Sequence, residues 1–388
     1  MTAPIVMEVE CRGLIFDATN RPKNQQVNAF TSLCSLQSGT ILAGFHSGPS
    51  KHAPNSTIRL CRSQDEGRTW NELPDTFVTK LDGVPGSLSS GDIVEPEPGK
   101  LVLFGSWFDR SDPSKPFFDP VSEGLLHCKQ IWAVSTDEGQ SWGPWNILPT
   151  PGLTGCGSTG PVLAWADGTI AHAFESFKEF DDPNPGRHGA WLAISRDRGR
   201  TFPEFHLVAQ DPEHKVYYWD QRLCAGRAPG EYYAMFWTHD LARKEDLHVH
   251  FRKGSIDEAT DHRSAPVATT IPGQIAAPLL LEDGRLLAFV VDRNHPGTLK
   301  LWSSRDDGVT WPTQDSLVIH THDERALLSQ STQDIDFKQY WEDMAKWTFG
   351  HPAILPLRGE RVLLAYYAGV PGTLSIHFAC VKIAEGAH

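Results

Sequence analysis

The chain has 388 residues, 40% of them hydrophobic and 10% aromatic, enough to build a large packed core. A formal net charge of −13 argues against a nucleic-acid or anionic-membrane partner, because both need a broadly positive surface; a local basic pocket stays compatible with it. No apolar run approaches the roughly 18 residues a membrane-spanning helix needs. No phosphate-binding GxxxxGK[ST], dinucleotide fingerprint or GxSxG elbow occurs.

The chain opens with "IVMEVECRGLIF", an alternating run within 4–16 that reads as a strand. No basic or strongly apolar leader precedes it. The seven cysteines are odd in number, lack a CxxC spacing, and mostly fall in apolar runs, which predicts reduced, buried thiols and a cytoplasmic location; a secreted chain trimmed of its leader reads the same way.

Two repeats follow. The first is an octet, Ser-x-Asp-x-Gly-x-[Ser/Thr]-aromatic: "SQDEGRTW" at 63–70, "STDEGQSW" at 135–142, "SRDRGRTF" at 195–202 and "SRDDGVTW" at 304–311. Asp65, Asp137, Asp197 and Asp306 are placed to accept backbone N–H groups within the turn, the glycines to take positive φ, and the aromatic to return to the core. These aspartates read as turn locks rather than catalysts. The second repeat is a pair of apolar runs joined by a tight turn, six times over, at Gly39, Gly99, Gly168, Gly230, Gly284 and Gly359. The fourth and sixth units lack an octet, and "HVHFRKGSIDEAT" stands in the fourth unit's place.

Six units of about 60 residues with four strands each predict an all-β fold, a single six-bladed β-propeller over 1–388. Its blades span roughly 28–80, 87–150, 152–211, 215–272, 273–322 and 348–388. The last runs out after three strands, and the N-terminal strand at 4–16 is expected to supply the fourth and close the ring. One insertion breaks the pattern: "DIDFKQYWEDMAKW", 334–347, has apolar residues at helical spacing. His248 and His250 alternate within a predicted strand and "HTHD", 320–323, reads as a loop; neither makes a metal site, and no cofactor or metal is expected.

Four such octets on a six-bladed ring resemble the sialidase superfamily, the Asp-box or BNR repeat proteins, over nearly the whole chain. The resemblance implies a propeller with a central funnel, a terminal sugar as substrate, an arginine triad for its carboxylate, an acid/base aspartate, and a glutamate–tyrosine nucleophile pair. This sequence departs at most of those places. Asn28 and Ala29 stand where the first arginine belongs, and the 46–56 loop has no acid. Asp220 is the acid nearest the glutamate's place, His239 stands where the second arginine would, Arg293 is close to the third, and His351 replaces the tyrosine. The resemblance therefore implies the frame of a sialidase with a diverged site.

In such a ring the start of each blade's first strand and the end of its second face one mouth. The starts bring Asp220, Arg222 and His351. The ends bring His46, Trp107, Arg110 and Glu175 from the first three blades, and Trp237, His239, Asp240, Asp292, Arg293 and Tyr367 from the rest. Flat aromatics, arginines and paired acids are what gripping and cleaving a sugar requires. Glu175 ends the apolar run "TIAHAFES" and Asp220 follows "VYYW", so burial is expected to separate their acidities. The expected function is an exo-acting glycoside hydrolase with Glu175, Asp220 and His351 as catalytic residues, acting on a carbohydrate other than an ordinary sialoside. Two other readings stay open: a non-catalytic glycan-binding propeller, and a true exo-sialidase with its triad relocated to Arg110, Arg222 and Arg293. Elimination with Tyr367 or a histidine as base also stays open, as does the oligomeric state.

Overall fold

A computed structural model describes residues 5–158, 160–258, 265–294, 296–323 and 337–385. The expected strand and helix positions 4 and 334–336 lie outside these residues. The described residues are all-β apart from one α-helix, Phe337–Lys346, and two short 3-10 turns. Among the described residues no helix is long and apolar enough to cross a membrane.

The described strands form five sheets, of eight, four, five, four and four strands; the eight-stranded one joins the first four-strand group to the last, so six groups follow one another along the chain, the fourth with the extra strand Glu245–Asp246. The first group begins with Val27–Ser35 and Ile41–Gly48, the second with Gly86–Glu97 and Lys100–Asp109, the third with Val162–Ala164 and Ile170–Ser176. The fourth begins with Val216–Ala225 and Glu231–Asp240, the fifth with Ala276–Leu280 and Leu286–Asp292. The sixth holds Phe349–Leu357, Arg361–Val370 and Thr373–Glu385 and takes its fourth strand from the N-terminus, Ile5–Phe16, paired antiparallel to Thr373–Glu385. A single parallel bridge, Val27 to Leu374, ties the sixth group to the first.

Both repeats read from the sequence are local structures. All six hairpin glycines have positive φ, between 69° and 94°. Each octet joins the third and fourth strand of its group and closes on itself. In the first, Asp65 Oδ1 accepts from the Thr69 amide at 2.9 Å and the Ser63 hydroxyl at 2.8 Å, Asp65 Oδ2 accepts from the Thr69 hydroxyl at 2.6 Å, and the Trp70 indole donates to Gly67 O. Asp137, Asp197 and Asp306 repeat the pattern. Burial pushes the Asp65 carboxyl up, and the bonds from Thr69, Ser63 and Arg68 outweigh it, bringing it down to about 2. Replacing Asp306 with alanine should cost about 1–2 kcal/mol of stability, as several acceptor bonds to one turn are lost. Denaturant unfolding checks this, and activity should not change, because the turn is remote from the cavity described below.

The core is built between groups. Leu42 and Leu60 of the first pack with Leu101 and Leu103 of the second; Phe104 of the second with Ile170 and Phe174 of the third; Leu192 of the third with Tyr232 and Phe236 of the fourth. Met235 of the fourth meets Leu286 and Trp302 of the fifth, Phe289 of the fifth meets Leu364 and Tyr366 of the sixth, and Leu363 and Ala365 of the sixth meet Ala43 and Phe45 of the first. Each second strand is apolar on both faces because it packs toward a neighbour on either side.

The segment "HTHD" differs from the expectation of a loop. His320 and His322 lie in the strand Ser316–His322, where the His320 ring lies tilted against Tyr366 at 5.3 Å and His322 bonds to the Thr348 hydroxyl. Pairing with Gly297–Ser304 decides this, a contact that local composition does not reveal.

Candidate active site

The end of the second strand in the third group and the start of the first strand in the fourth meet at one cavity. Its volume is about 130 Å³, and it is open to solvent. Glu175 and Asp220 are both on its wall, with Phe30, Phe177, Trp219 and Trp237 as apolar faces and Ser89 and Ser158 as small polar groups.

Local backbone geometry aims Asp220. In the fourth group the register between first and second strand shifts between Trp219 and Arg222, and Asp220 sits in this bulge with φ of 46°. The same device recurs at Phe30, Ser90 and His351, with φ of 56°, 60° and 53°, each at a register shift of its own group. A non-glycine residue in the left-handed region costs about 1 kcal/mol or more, and bulges of this kind re-aim a side chain. Four groups thus carry a strained residue, each of a different type, at the register shift of the first strand.

Gln221, beside Asp220, clamps the acids together. Its backbone N–H donates to Glu175 Oε1 at 3.0 Å, and its side-chain amide donates to Phe174 O at 2.8 Å and Trp191 O at 3.0 Å. Glu175 is held from the other side by reciprocal backbone bonds with Gly157. Burial, then the Asp220 charge, raise the Glu175 carboxyl well above the ordinary range, against the Gln221 and Asp220 amides and Arg222. This favours the protonated form of Glu175, which suits it to donate a proton.

Beneath the cavity lies a buried charge cluster. Arg222 is 3% exposed, touches the His351 ring through Nη2, and feels Asp92, Asp220 and Glu175. A smaller hollow of about 70 Å³ is lined by one stretch from each of the six groups, among them Thr31, Asp92, Pro161, Arg222, Pro278 and Pro352. Asp92 Oδ2, Arg222 Nε, Thr31 Oγ1 and Ser90 Oγ are buried without a hydrogen-bond partner among the described residues, a set suited to holding ordered water. Burial, moderated by Arg222, pushes the Asp92 carboxyl up to about 7 from an ordinary 3.8.

A buried acid with a raised pKa holds its proton longer when folded than when unfolded. Its stabilising share is full below the unfolded value and is lost as pH rises through the folded one. Asp92 should therefore make the protein less stable by on the order of 1 kcal/mol per pH unit between pH 4 and 7. Asp92→Asn should flatten that slope in denaturant titrations at each pH; an unchanged slope would show that Asp92 is charged in the fold.

The other expected site residues are placed elsewhere. Trp107 lies in the core between the first two groups and donates its indole N–H to Thr79 O at 2.9 Å. His46 is also off the wall, its ring held between Leu88 O and Ser50 O. Arg110 braces Ser87 and His52 O. His239 pairs with Asp246 Oδ1 at 3.0 Å and stacks on Trp219. Asp240 and Asp292 cap turns, accepting from the Ala242 and Asn294 amides. Arg293 donates to Gln274 and Phe349 O and lies 3.9 Å over Trp347. Tyr367 accepts from Lys51 Nζ at 3.0 Å. Of the thirteen residues, Glu175, Asp220 and Trp237 are on the cavity wall, with Arg222 and His351 beneath.

Sequence reasoning missed several wall residues. Phe117 and Phe118 come from the loop "SKPFFDP", where two adjacent aromatics in a Pro- and Asp-rich stretch were a usable signal. His52 stacks on Phe117 at 4.3 Å, and His188 bonds to Tyr218 O at 2.8 Å. Burial brings these rings down to about 3 and about 4, so both are neutral. Met344 arrives from the helix, whose end is held by Lys51 Nζ on Met344 O and Trp347 O. A groove of about 810 Å³ adjoins the cavity, sharing Ser176 and Phe177 with it and continuing past Asn184, Trp191 and Gln210.

No protein-family model matches the chain, and no curated protein matches it. Solved structures do. A Dyadobacter fermentans protein of unknown function has a TM-score of 0.70 at 19% identity, covering 97% of this chain and 99% of its own. The Hadza microbial sialidase Hz136 has a TM-score of 0.65 at 16% identity, covering 96% of this chain and 68% of its own. The Penicillium chrysogenum α-L-arabinanase, solved with arabinobiose, has a TM-score of 0.59 at 14% identity, covering 97% and 98%. The chain shares the fold of these solved structures, among them a sialidase and an arabinanase.

Proposed function

We propose that the six strand groups are the blades of a six-bladed propeller closed by the N-terminal strand, and that its mouth is the active site of an exo-acting glycoside hydrolase. The cyclic order of the core contacts supports the ring: each group shares a cluster with the next, and the sixth shares one with the first. The observation that carries the enzymatic reading is the pair of carboxyl groups on one aromatic-lined wall, with the Glu175 carboxyl pushed well above the ordinary range by burial and by its neighbour.

Glu175 donates its proton to the leaving glycosidic oxygen. Asp220 faces the developing positive charge of the sugar ring, as nucleophile or as base for water. Trp219, Trp237 and Phe177 offer faces to the sugar's C–H surface and exclude water. Arg222 and His351 hold the acids from below. The cavity takes the terminal residue, and the open groove past Trp191 takes the rest of the chain. The reading commits to a carbohydrate substrate and leaves no role for a cofactor.

An ordinary sialoside is disfavoured because none of Arg110, Arg222 and Arg293 is on the cavity wall, and each is engaged elsewhere. The test is a screen of the purified protein against a broad glycan library, scoring both binding and released monosaccharide. Release of one terminal sugar, abolished in Glu175→Gln, supports the proposal. Binding without release by the wild type replaces it with a non-catalytic glycan-binding role, and cleavage of a fluorogenic sialoside restores the sialidase reading.

A further inference from the structure

The two ends of the described chain meet in one antiparallel pair, and a thiol from each lies there. Cys11 of Ile5–Phe16 is the register partner of Cys380 of Thr373–Glu385. This facing depends on a bulge. Val9 pairs with Val381, the next pairing is Cys11 with Cys380, and Glu10 is the extra residue between them. In an unbroken ladder Cys11 would face Ala379 and Cys380 would face Glu10. One inserted residue therefore brings the two thiols opposite each other. Directly opposed residues of an antiparallel pair have Cα atoms about 4.5–5.5 Å apart, inside the range a disulfide spans.

Their surroundings differ. Cys11 is half-buried, whereas Cys380 is 3% exposed within the core shared by the sixth and first groups. Burial, and then the hydrogen bond with Cys11, push the Cys380 thiol up to about 12. Cys128 and Cys156, the other neighbouring pair, are both buried, and Cys128 spends its S–H on the Cys156 carbonyl oxygen at 3.0 Å.

We propose that Cys11 and Cys380 form a dithiol–disulfide switch that locks the N-terminal strand onto the last strand of the fold. With oxidised glutathione as the oxidant, the accessible Cys11 thiolate attacks one sulfur of the glutathione disulfide. The S–S bond breaks and one glutathione thiolate leaves and takes up a proton. Cys380 then loses its proton to solvent and attacks Cys11 Sγ, expelling the second glutathione. Two protein thiols become one disulfide, and one glutathione disulfide becomes two thiols. Reaction is slow at neutral pH, because the second step needs a thiolate that burial disfavours, and it accelerates with rising pH. The bond fixes the one strand of its group that arrives from the other end of the sequence, so opening of that seam requires bond rupture. In a reducing compartment the pair stays a dithiol.

The experiment uses the full chain treated with oxidised glutathione at pH 8.5, blocked with N-ethylmaleimide, unfolded and digested. The expected product is a peptide joined across Cys11 and Cys380, with the loss of two hydrogens. Its rate should rise several-fold per pH unit, and thermal unfolding should shift up by about 5 °C or more. Dithiothreitol should reverse both, and Cys11→Ala should abolish both. Cys380→Ala should stop at a glutathione adduct on Cys11, which keeps the test informative if either variant is destabilised. Failure of the wild type to give the joined peptide while Cys11 accepts glutathione overturns the proposal. So does a joined peptide that forms only in urea, or one without an upward thermal shift.

Discussion

Replacing Glu175 with glutamine should lower turnover of the cognate glycan about 100- to 10,000-fold, the range a positioned general acid supplies, and leave binding within a few-fold of wild type. The amide keeps the shape and still accepts the Gln221 N–H that Glu175 Oε1 accepts at 3.0 Å, so the clamp survives. What is lost is the carboxyl proton whose retention burial and the Asp220 charge favour. An activated aryl glycoside, whose leaving group needs no proton, should recover most of the lost rate in this variant. Asp220→Asn should be as inactive toward the aryl substrate as toward the natural one, because a residue facing the sugar ring acts whatever the leaving group. Asparagine is the right replacement there, since Asp220 has φ of 46° and asparagine tolerates the left-handed region better than alanine. Equal losses with both substrates in both variants would falsify the division of roles.

Replacing Arg222 with methionine should destabilise the fold by about 3–5 kcal/mol at pH 7, the usual cost of removing one partner from a buried charge group. Arg222 is 3% exposed and lies among Asp92, Asp220 and Glu175, with His351 against its guanidinium. Methionine fills the space but leaves the acids with no compensating cation. Their pKa values then rise further, so the variant's deficit should narrow as pH falls from 7 to 5 and widen above 7. Thermal or denaturant unfolding across that pH range checks the claim. A deficit independent of pH would mean that the loss is packing and that the charges are not coupled.

Much of the frame was legible before any coordinates. The octets work through bonds inside eight residues, so Asp65 and Asp306 could be assigned as turn locks from spacing alone. The hairpin glycines announce themselves because positive φ is a local demand. The N-terminal strand was placed by counting, as the last unit ran out one strand short. The acid pair was also legible, since an acid ending an apolar strand stands out as Glu175 does, and so does one following three aromatic residues, as Asp220 does.

Other parts were not. Trp107 ends its strand as Trp237 does, yet one is core and the other is cavity wall; the difference lies in which segment covers each strand end, a long-range contact. The arginines and His46 met the rule for mouth positions, but their partners are carbonyls and side chains distant in sequence. Phe117, His188 and Met344 reach the wall from loops and the helix, which no repeat arithmetic locates. The strained bulges at Phe30, Ser90, Asp220 and His351 have no shared residue type, so nothing in the one-letter string marks them.

The sequence by itself determined the strand units, their turns and the residues able to carry acid chemistry, because those depend on periodicity and on bonds a few residues long. Only the tertiary structure decided which acids share a wall, which cation lies beneath them, and that Cys11 faces Cys380. Those facts depend on desolvation and register between segments as much as 369 residues apart, and energies of that kind arise only once the segments are packed together.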